Sequence, residues 1–217
     1  METKGLKINF LGDSITENVG ASDEAHGYVA VAAKLMGLEE ARNYGVSGTR
    51  IAAQTDGNPD FLENFYQRAL RMDGDADAVF VFGGTNDFGH GSAPLGSFGD
   101  RTHETFYGAL CLLIEFLLQN YPCKPIVFAT PLHRFDENSD CGDGSKPAGS
   151  LSLSVYADVI REVTAYYGIP LLDLMKVSMI QPKCDFIREQ ICPDGLHPSD
   201  LGHQIIGERV AGFYKCL

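Results

Sequence analysis

Four short apolar runs, each cut off by glycine or another turn residue, constrain this chain's fold more than any other feature. Lys7-Ile-Asn-Phe-Leu11 stops at Gly12, and Ala78-Val-Phe-Val-Phe82 stops at Gly83-Gly84. Pro125-Ile-Val-Phe-Ala129 stops at Thr130-Pro131, and Ile169-Pro-Leu-Leu-Asp173 is the fourth run. A weaker candidate covers Ala41 to Tyr44. The runs are mostly continuous rather than alternating, as strands covered on both faces of a parallel sheet require.

Helical patterns fill the gaps. Phe106, Leu110, Leu113, Ile114 and Leu117 follow helix spacing, with Thr102 as N-cap candidate and Pro122 beyond the end. Tyr156, Val159, Ile160, Val163 and Tyr167 form a second stripe, with Ser152 or Ser154 to cap its start and Gly168 at its C-cap. A last helix after Pro198, capped by Ser199, buries Ile206, Val210 and Phe213, and shorter helices are expected around Gly27 to Met36 and Phe61 to Leu70. Strands alternating with helices mean right-handed βαβ crossovers in an α/β fold. At 217 residues the chain is expected to form one domain over 1–217. The segments Phe88–Arg101 and His133–Gly149, rich in Gly and in Ser or Asp, read as long surface loops.

Charge excludes several partners. The net charge is −12, so the surface repels nucleic-acid phosphates and anionic membranes. The most apolar stretch, Ala109 to Leu118, is interrupted by Glu115 and is too short for a span, which needs about 20 apolar residues. Met1 to Lys7 lacks the apolar region of a signal peptide, so a cytoplasmic protein is expected. The six cysteines form no C-x-x-C pair and no zinc-finger spacing with histidine, and are expected to be reduced thiols.

In an open parallel sheet, ligands bind at the carboxyl ends of the strands. The first strand ends in Gly12-Asp13-Ser14-Ile15-Thr16, which taken alone reads as a turn with a helix cap, or as a hydroxyl placed at the sheet edge. The weaker strand ends in Asn43-Tyr44-Gly45-Val46-Ser47-Gly48, where Gly45 can bring a backbone N–H close to a ligand. Ser47 is no G-x-S-x-G nucleophile, because Thr49 stands where the second glycine belongs. Gly83-Gly84-Thr85-Asn86-Asp87 offers either an amide donor suited to a developing oxyanion or an Asx turn closing the loop. Near the end of the chain, Asp194-Gly195-Leu196-His197-Pro198 sets a carboxylate three residues before an imidazole. That spacing lets Asp194 reach Nδ1 and leaves Nε2 as a base, though a capped helix entry with a surface histidine also fits. The other five histidines are read as lacking an acidic partner at this spacing, apart from His103 beside Glu104.

Together these blocks resemble the SGNH hydrolases, the GDSL-type esterases and lipases, over nearly the whole chain. The matching blocks are Gly12-Asp13-Ser14, Gly45, Gly84-Thr85-Asn86-Asp87 and Asp194-Gly195-Leu196-His197, with Ile15 where the family name has Leu. The resemblance implies a flavodoxin-like three-layer α/β/α sandwich with a parallel sheet of about five strands. It also implies a Ser–His–Asp triad in which Ser14 is nucleophile, His197 base and Asp194 orienting acid. Ser14 N–H, Gly45 N–H and the Asn86 amide would form the oxyanion hole, with no metal and no cofactor.

The expected substrate is a small-molecule ester, with short acyl groups such as acetyl on a carbohydrate favoured over long chains. Thioesterase or lysophospholipase activity is the neighbouring alternative. A non-catalytic binding module on the same fold is a further one, disfavoured by the intact triad and by Gly142-Asp-Gly-Ser-Lys146, which is no phosphate loop. Asp87 and Asp173 are assigned structural roles, and Asp136-Glu-Asn-Ser-Asp140 fails as a calcium loop, with Cys141 and Pro147 at the positions that need Gly and Glu. Cys111 is read as core, and Cys192 lies beside the His197 motif.

Overall fold

The computed structural model describes residues 1–54 and 63–217. Five strands, β1 (Lys7–Gly12), β2 (Glu40–Gly45), β3 (Ala78–Phe82), β4 (Ile126–Ala129) and β5 (Leu171–Leu172), form one sheet in the order β2-β1-β3-β4-β5. Every pairing is parallel. The order reverses between β1 and β3, so β1 leads to one edge and β3 to the other. The crevice at such a switch point is where ligands bind.

Alternate residues of each strand serve opposite faces. Ile8, Phe10, Phe80 and Val127 pack with α1 (Tyr28–Met36) and α8 (Asp200–Cys216). Leu11, Val79, Val81 and Phe128 pack with α2 (Phe65–Ala69), α4 (Phe106–Asn120) and α5 (Leu153–Tyr167). The result is the expected three-layer α/β/α sandwich. β3 is buried at all five residues, which explains its unbroken apolar sequence. β2 is an edge strand with no fully buried residue, which explains why Glu40 and Arg42 weaken its signal.

Several local readings need correction. The helix expected to start at Thr102 begins at Phe106, because the Thr105 hydroxyl accepts Gly108 N–H at 3.2 Å. Ser152 and Ser199 sit at N-cap positions but their hydroxyls turn elsewhere, to Ser154 Oγ and to Gln190 O. Gly168 does close α5, in the left-handed region at φ 67°. The last strand shrinks to two residues, as Pro170 has no N–H to donate and Asp173 turns away to Arg161. In α8 the fully buried ring is Tyr214, while Phe213 is half-buried. The helix expected over Phe61 to Leu70 is observed at Phe65–Ala69, and residues 61 and 62 lie outside the described ones. Three short helices had no counterpart in the sequence reading: α3 (Thr85–Gly89), α6 (Leu174–Val177) and α7 (Asp185–Ile191). No described helix is long and apolar enough to cross a membrane.

Candidate active site

The carboxyl end of β1 turns sharply at Gly12. A Cβ there would stand 1.8 Å from Thr16 Oγ1 and 2.9 Å from Phe82 O, so only glycine lets the following turn fold back this tightly. Glu17 N–H then bonds Asp13 O at 2.9 Å, and Val19 N–H bonds Ser14 O at 2.9 Å. These bonds wind residues 13–19 into a compact turn that carries Ser14.

The second half of the site comes from the other end of the chain. Cys192 O accepts Gly195 N–H at 2.9 Å, and Phe135 N–H donates to Gly195 O at 2.8 Å. Gly195 adopts φ +80°, and a Cβ there would press on Phe135 Cβ at 2.6 Å. This turn faces the Ser14 turn, because Gly20 (φ +94°) lets the backbone approach Pro198 O where a Cβ would stand only 2.2 Å away.

The two turns bring three side chains into line. Ser14 Oγ lies 2.9 Å from His197 Nε2, and His197 Nδ1 lies 2.6 Å from Asp194 Oδ2. A carboxylate only accepts, so Nδ1 holds the ring proton and Nε2 accepts from the serine hydroxyl. Asp194 Oδ1 also accepts the N–H groups of Leu196 at 2.8 Å and His197 at 2.6 Å. Burial pushes the Asp194 pKa up, but the hydrogen bonds from His197 and Leu196 outweigh it and hold the group below its ordinary value. Asp194 is therefore an anion fixed in one orientation.

Other histidines carry acids too, contrary to expectation. His26 Nδ1 lies 2.8 Å from Asp23, three residues earlier; His203 follows Asp200 at the same interval, but its ring nitrogens bond Tyr28 N–H and Val19 O instead. His90 pairs across two loops with Asp143 at 2.8 Å, and His133 pairs within one loop with Glu137 at 2.6 Å. His197 is distinguished from His26 by using both ring nitrogens, one for the acid and one for the serine; His26 meets Asp23 and Ser22 through Nδ1 alone.

Asn86 lies in the first turn of α3, after Gly84 at φ +103°. One of its amide hydrogens goes to Thr49 O at 3.0 Å, and the second has no acceptor among the described residues. Gly45 does not supply the free donor that the sequence suggested. Its N–H is taken by Asn43 Oδ1 at 2.8 Å, while Asn43 Nδ2 holds Thr16 O at 2.6 Å. Gly45 is glycine for packing: a Cβ would lie 2.2 Å from Glu17 N. Three residues on, Gly48 (φ +73°) has an N–H with no acceptor among the described residues, and it adjoins the Thr49 carbonyl that binds Asn86.

Asp13 is buried beneath this site, and burial raises its pKa to about 6 against the opposing pull of Ile15 N–H and Arg68. Asp87 accepts Ile51 N–H at 3.0 Å and Ala52 N–H at 2.9 Å, and Asp173 binds Arg161 and Thr130, so both have the structural roles assigned to them. Asp136 is occupied by Arg134. Cys192 is buried, which pushes its thiol up to about 12. No group of three or more His, Cys, Asp or Glu among the described residues is arranged to hold a metal ion.

The family model for GDSL-like lipases/acylhydrolases matches residues 10–205. A structure from Lactobacillus plantarum is 30% identical, covers 98% of each chain and superposes with a TM-score of 0.84. The lipase/acylhydrolase from Enterococcus faecalis is 22% identical over 97% of this chain and 96% of its own, with a TM-score of 0.65. A carbohydrate acetylesterase family member from Sinorhizobium meliloti is 17% identical over 97% and 98%, with a TM-score of 0.66. No curated protein matches the sequence. The parallel sheet, the ordered motif blocks and the family match over most of the chain lead to one assignment: this protein belongs to the GDSL-like lipase/acylhydrolase family and is a carboxylic-ester hydrolase.

Proposed function

We propose that the protein is a serine ester hydrolase using Ser14, His197 and Asp194 as its triad, and that it removes short acyl groups, acetyl foremost, from a carbohydrate or another small polar alcohol. The observation that carries the catalytic reading is the unbroken contact from Ser14 Oγ through the His197 ring to Asp194. Ser14 Oγ attacks the ester carbonyl as His197 Nε2 takes its proton. The imidazolium is stabilised by Asp194. His197 then protonates the leaving alcohol, and water repeats the sequence on the acyl-enzyme.

The developing oxyanion is held by Ser14 N–H, Gly48 N–H and the free Asn86 amide hydrogen. Gly48 takes the place first given to Gly45 because its N–H is uncommitted and lies next to the peptide that orients Asn86. An uncharged donor set stabilises the tetrahedral state without titrating.

A cavity of about 320 Å³ between the two long loops is lined by Ser92, Lys146 and Tyr156 together with the apolar Ala93, Leu95 and Leu151. Lys146 Nζ, which lines it, donates to the carbonyl of Asp87, the residue after Asn86.

The test is hydrolysis of acetyl, butyryl and octanoyl p-nitrophenyl esters and of acetylated sugars. Ser14→Ala is expected to lose about 10⁴- to 10⁶-fold in kcat, and acetyl esters are expected to be preferred. Undiminished turnover by Ser14→Ala refutes the triad, and an octanoyl preference refutes the substrate class.

A further inference from the structure

Arg68 sits on α2, a helix that contributes no group to the steps above. Its residue is 3% exposed, and its guanidinium reaches three separate stretches of chain. Nη1 donates to Gly12 O at 2.7 Å and to Tyr44 O, and Nη2 donates to Thr49 Oγ1 at 2.7 Å. Gly12 leads into Asp13-Ser14, Tyr44 closes β2, and Thr49 follows Gly48. The Thr49 carbonyl in turn accepts the Asn86 amide at 3.0 Å. A single planar fork therefore connects to the segments carrying all three donors proposed for the oxyanion.

The fork is itself held rigidly. Asn64 and Gln67 form a reciprocal capping box at the start of α2, and Phe65 N–H donates to Arg50 O at 3.0 Å. The guanidinium lies over the Phe65 ring, 4.6 Å from its centre, and that ring fills the space where Gly83 has no side chain. No carboxylate among the described residues forms an ion pair with Arg68. A buried cation lacking such a partner is unfavourable for the fold. Its place is accounted for by the three acceptors it holds and by the attraction of the buried Asp13 carboxylate.

We propose that Arg68 is the positioning residue of the oxyanion pocket, fixing the Gly48–Thr49 segment against the Ser14 turn so that Gly48 N–H, Ser14 N–H and Asn86 Nδ2–H converge. This rests on the triad and oxyanion reading given above. Lysine keeps the charge but is a point donor without the flat fork, so it cannot hold all three acceptors in one plane. A displacement of about 1 Å in a catalytic group can cost 10²-fold. The loss falls on kcat, because the donors act on the tetrahedral state and not on the bound ester.

The experiment combines Arg68→Lys, Thr49→Val and Asn86→Ala, singly and in pairs, with acetyl ester kinetics and denaturant midpoints. Arg68→Lys, folded by its midpoint, is expected to lose about 10- to 100-fold in kcat with little change in KM. Asn86→Ala alone is expected to lose about 10²- to 10³-fold, but at most about tenfold more in the Arg68→Lys background, because the pocket is already misaligned. Thr49→Val keeps the guanidinium and removes its hold on the loop; it is expected to show a smaller loss confined to kcat, and it carries the test where Arg68→Lys does not fold. Wild-type kcat in folded Arg68→Lys or in Thr49→Val overturns the proposal. So does a fully additive loss in the pairs. An unchanged kcat in Asn86→Ala alone overturns the oxyanion reading underneath, a different failure from the other two.

Discussion

Replacing Asp13 by asparagine is expected to stabilise the protein, by an amount that depends on pH. Asp13 is 2% exposed, and its one hydrogen bond comes from Ile15 N–H at 3.1 Å. Burial lifts its pKa from 3.8 to about 6, a net value that already includes the attraction of Arg68. The folded state thus takes up a proton that the unfolded state does not hold, and stability falls as pH rises between these two values. By linkage, the ionised carboxylate costs about 3 kcal/mol at pH 7.5 and about 1 kcal/mol at pH 4.5. Asparagine keeps an oxygen for Ile15 N–H and carries no charge. Asp13→Asn is therefore expected to gain up to about 3 kcal/mol at pH 7.5, roughly 6 to 12 °C in midpoint for a chain of this size, and about a third of that at pH 4.5. Urea unfolding of both proteins at the two pH values is the assay. No gain at pH 7.5, or an equal gain at both values, refutes the reasoning.

Three further outcomes follow from the same geometry. Asp194→Asn is expected to lower kcat about 10⁴-fold, since an amide does not fix the required imidazole tautomer; steady-state ester hydrolysis measures it. Gly45→Ala places a Cβ 2.2 Å from Glu17 N and forces the Ser14 turn outward, with an expected loss of about 1–3 kcal/mol in urea stability together with reduced turnover. His203 is buried and neutral, accepting Tyr28 N–H on Nδ1 and donating from Nε2 to Val19 O. Burial lowers its pKa, so the unfolded chain binds a proton first on acidification and stability falls below about pH 6.5. That fall opposes the Asp13 effect, and is expected to emerge in the Asp13→Asn background as a drop in urea midpoint from pH 7.5 to 5.5; a flat profile contradicts it.

The strands with the strongest sequence signal, β3 and β4, are those whose surroundings are uniform. All five residues of β3 and all four of β4 are buried, so composition alone marks them. β2 and β5 lie at the sheet edges, where half-exposed residues and Pro170 blur the pattern. In the site, the contact between Asp194 and His197 is local, three residues within one turn, but Asp23 and His26 share that spacing, so the interval marks an acid–imidazole pair without singling out this one. Ser14 becomes legible only jointly with the other blocks, since its partner is 183 residues away. The choice between Gly45 and Gly48 is not legible: one ends β2 and the other lies three residues on, and what separates them is the Asn43 side chain occupying one N–H. Arg68 is missed for a related reason. A single arginine in a short helix reads as solvent-facing, and its burial depends on three carbonyl or hydroxyl acceptors spread over 37 residues of sequence.

The polar groups beneath the site set its energetics. Asp13, Arg68, Asn86 and Asp87 are all at most 5% exposed, and two of them are carboxylates pushed upward by burial. Asp87 is compensated by two backbone N–H groups, which tie the Ile51–Ala52 segment to α3 and so limit where Asn86 can point. Asp13 has one such bond and retains most of its burial penalty. The difference matches their positions. Asp87 locks a loop, where full compensation adds rigidity. Asp13 lies next to Ser14 and near Arg68 and His197, all of which its charge attracts or adjoins. An imidazolium formed during acyl transfer is favoured by that buried anion as well as by Asp194. The same ionisation that weakens the fold at neutral pH therefore supports the base in the step that needs it, and this joins the stability gain of Asp13→Asn to an expected loss of turnover in the same variant.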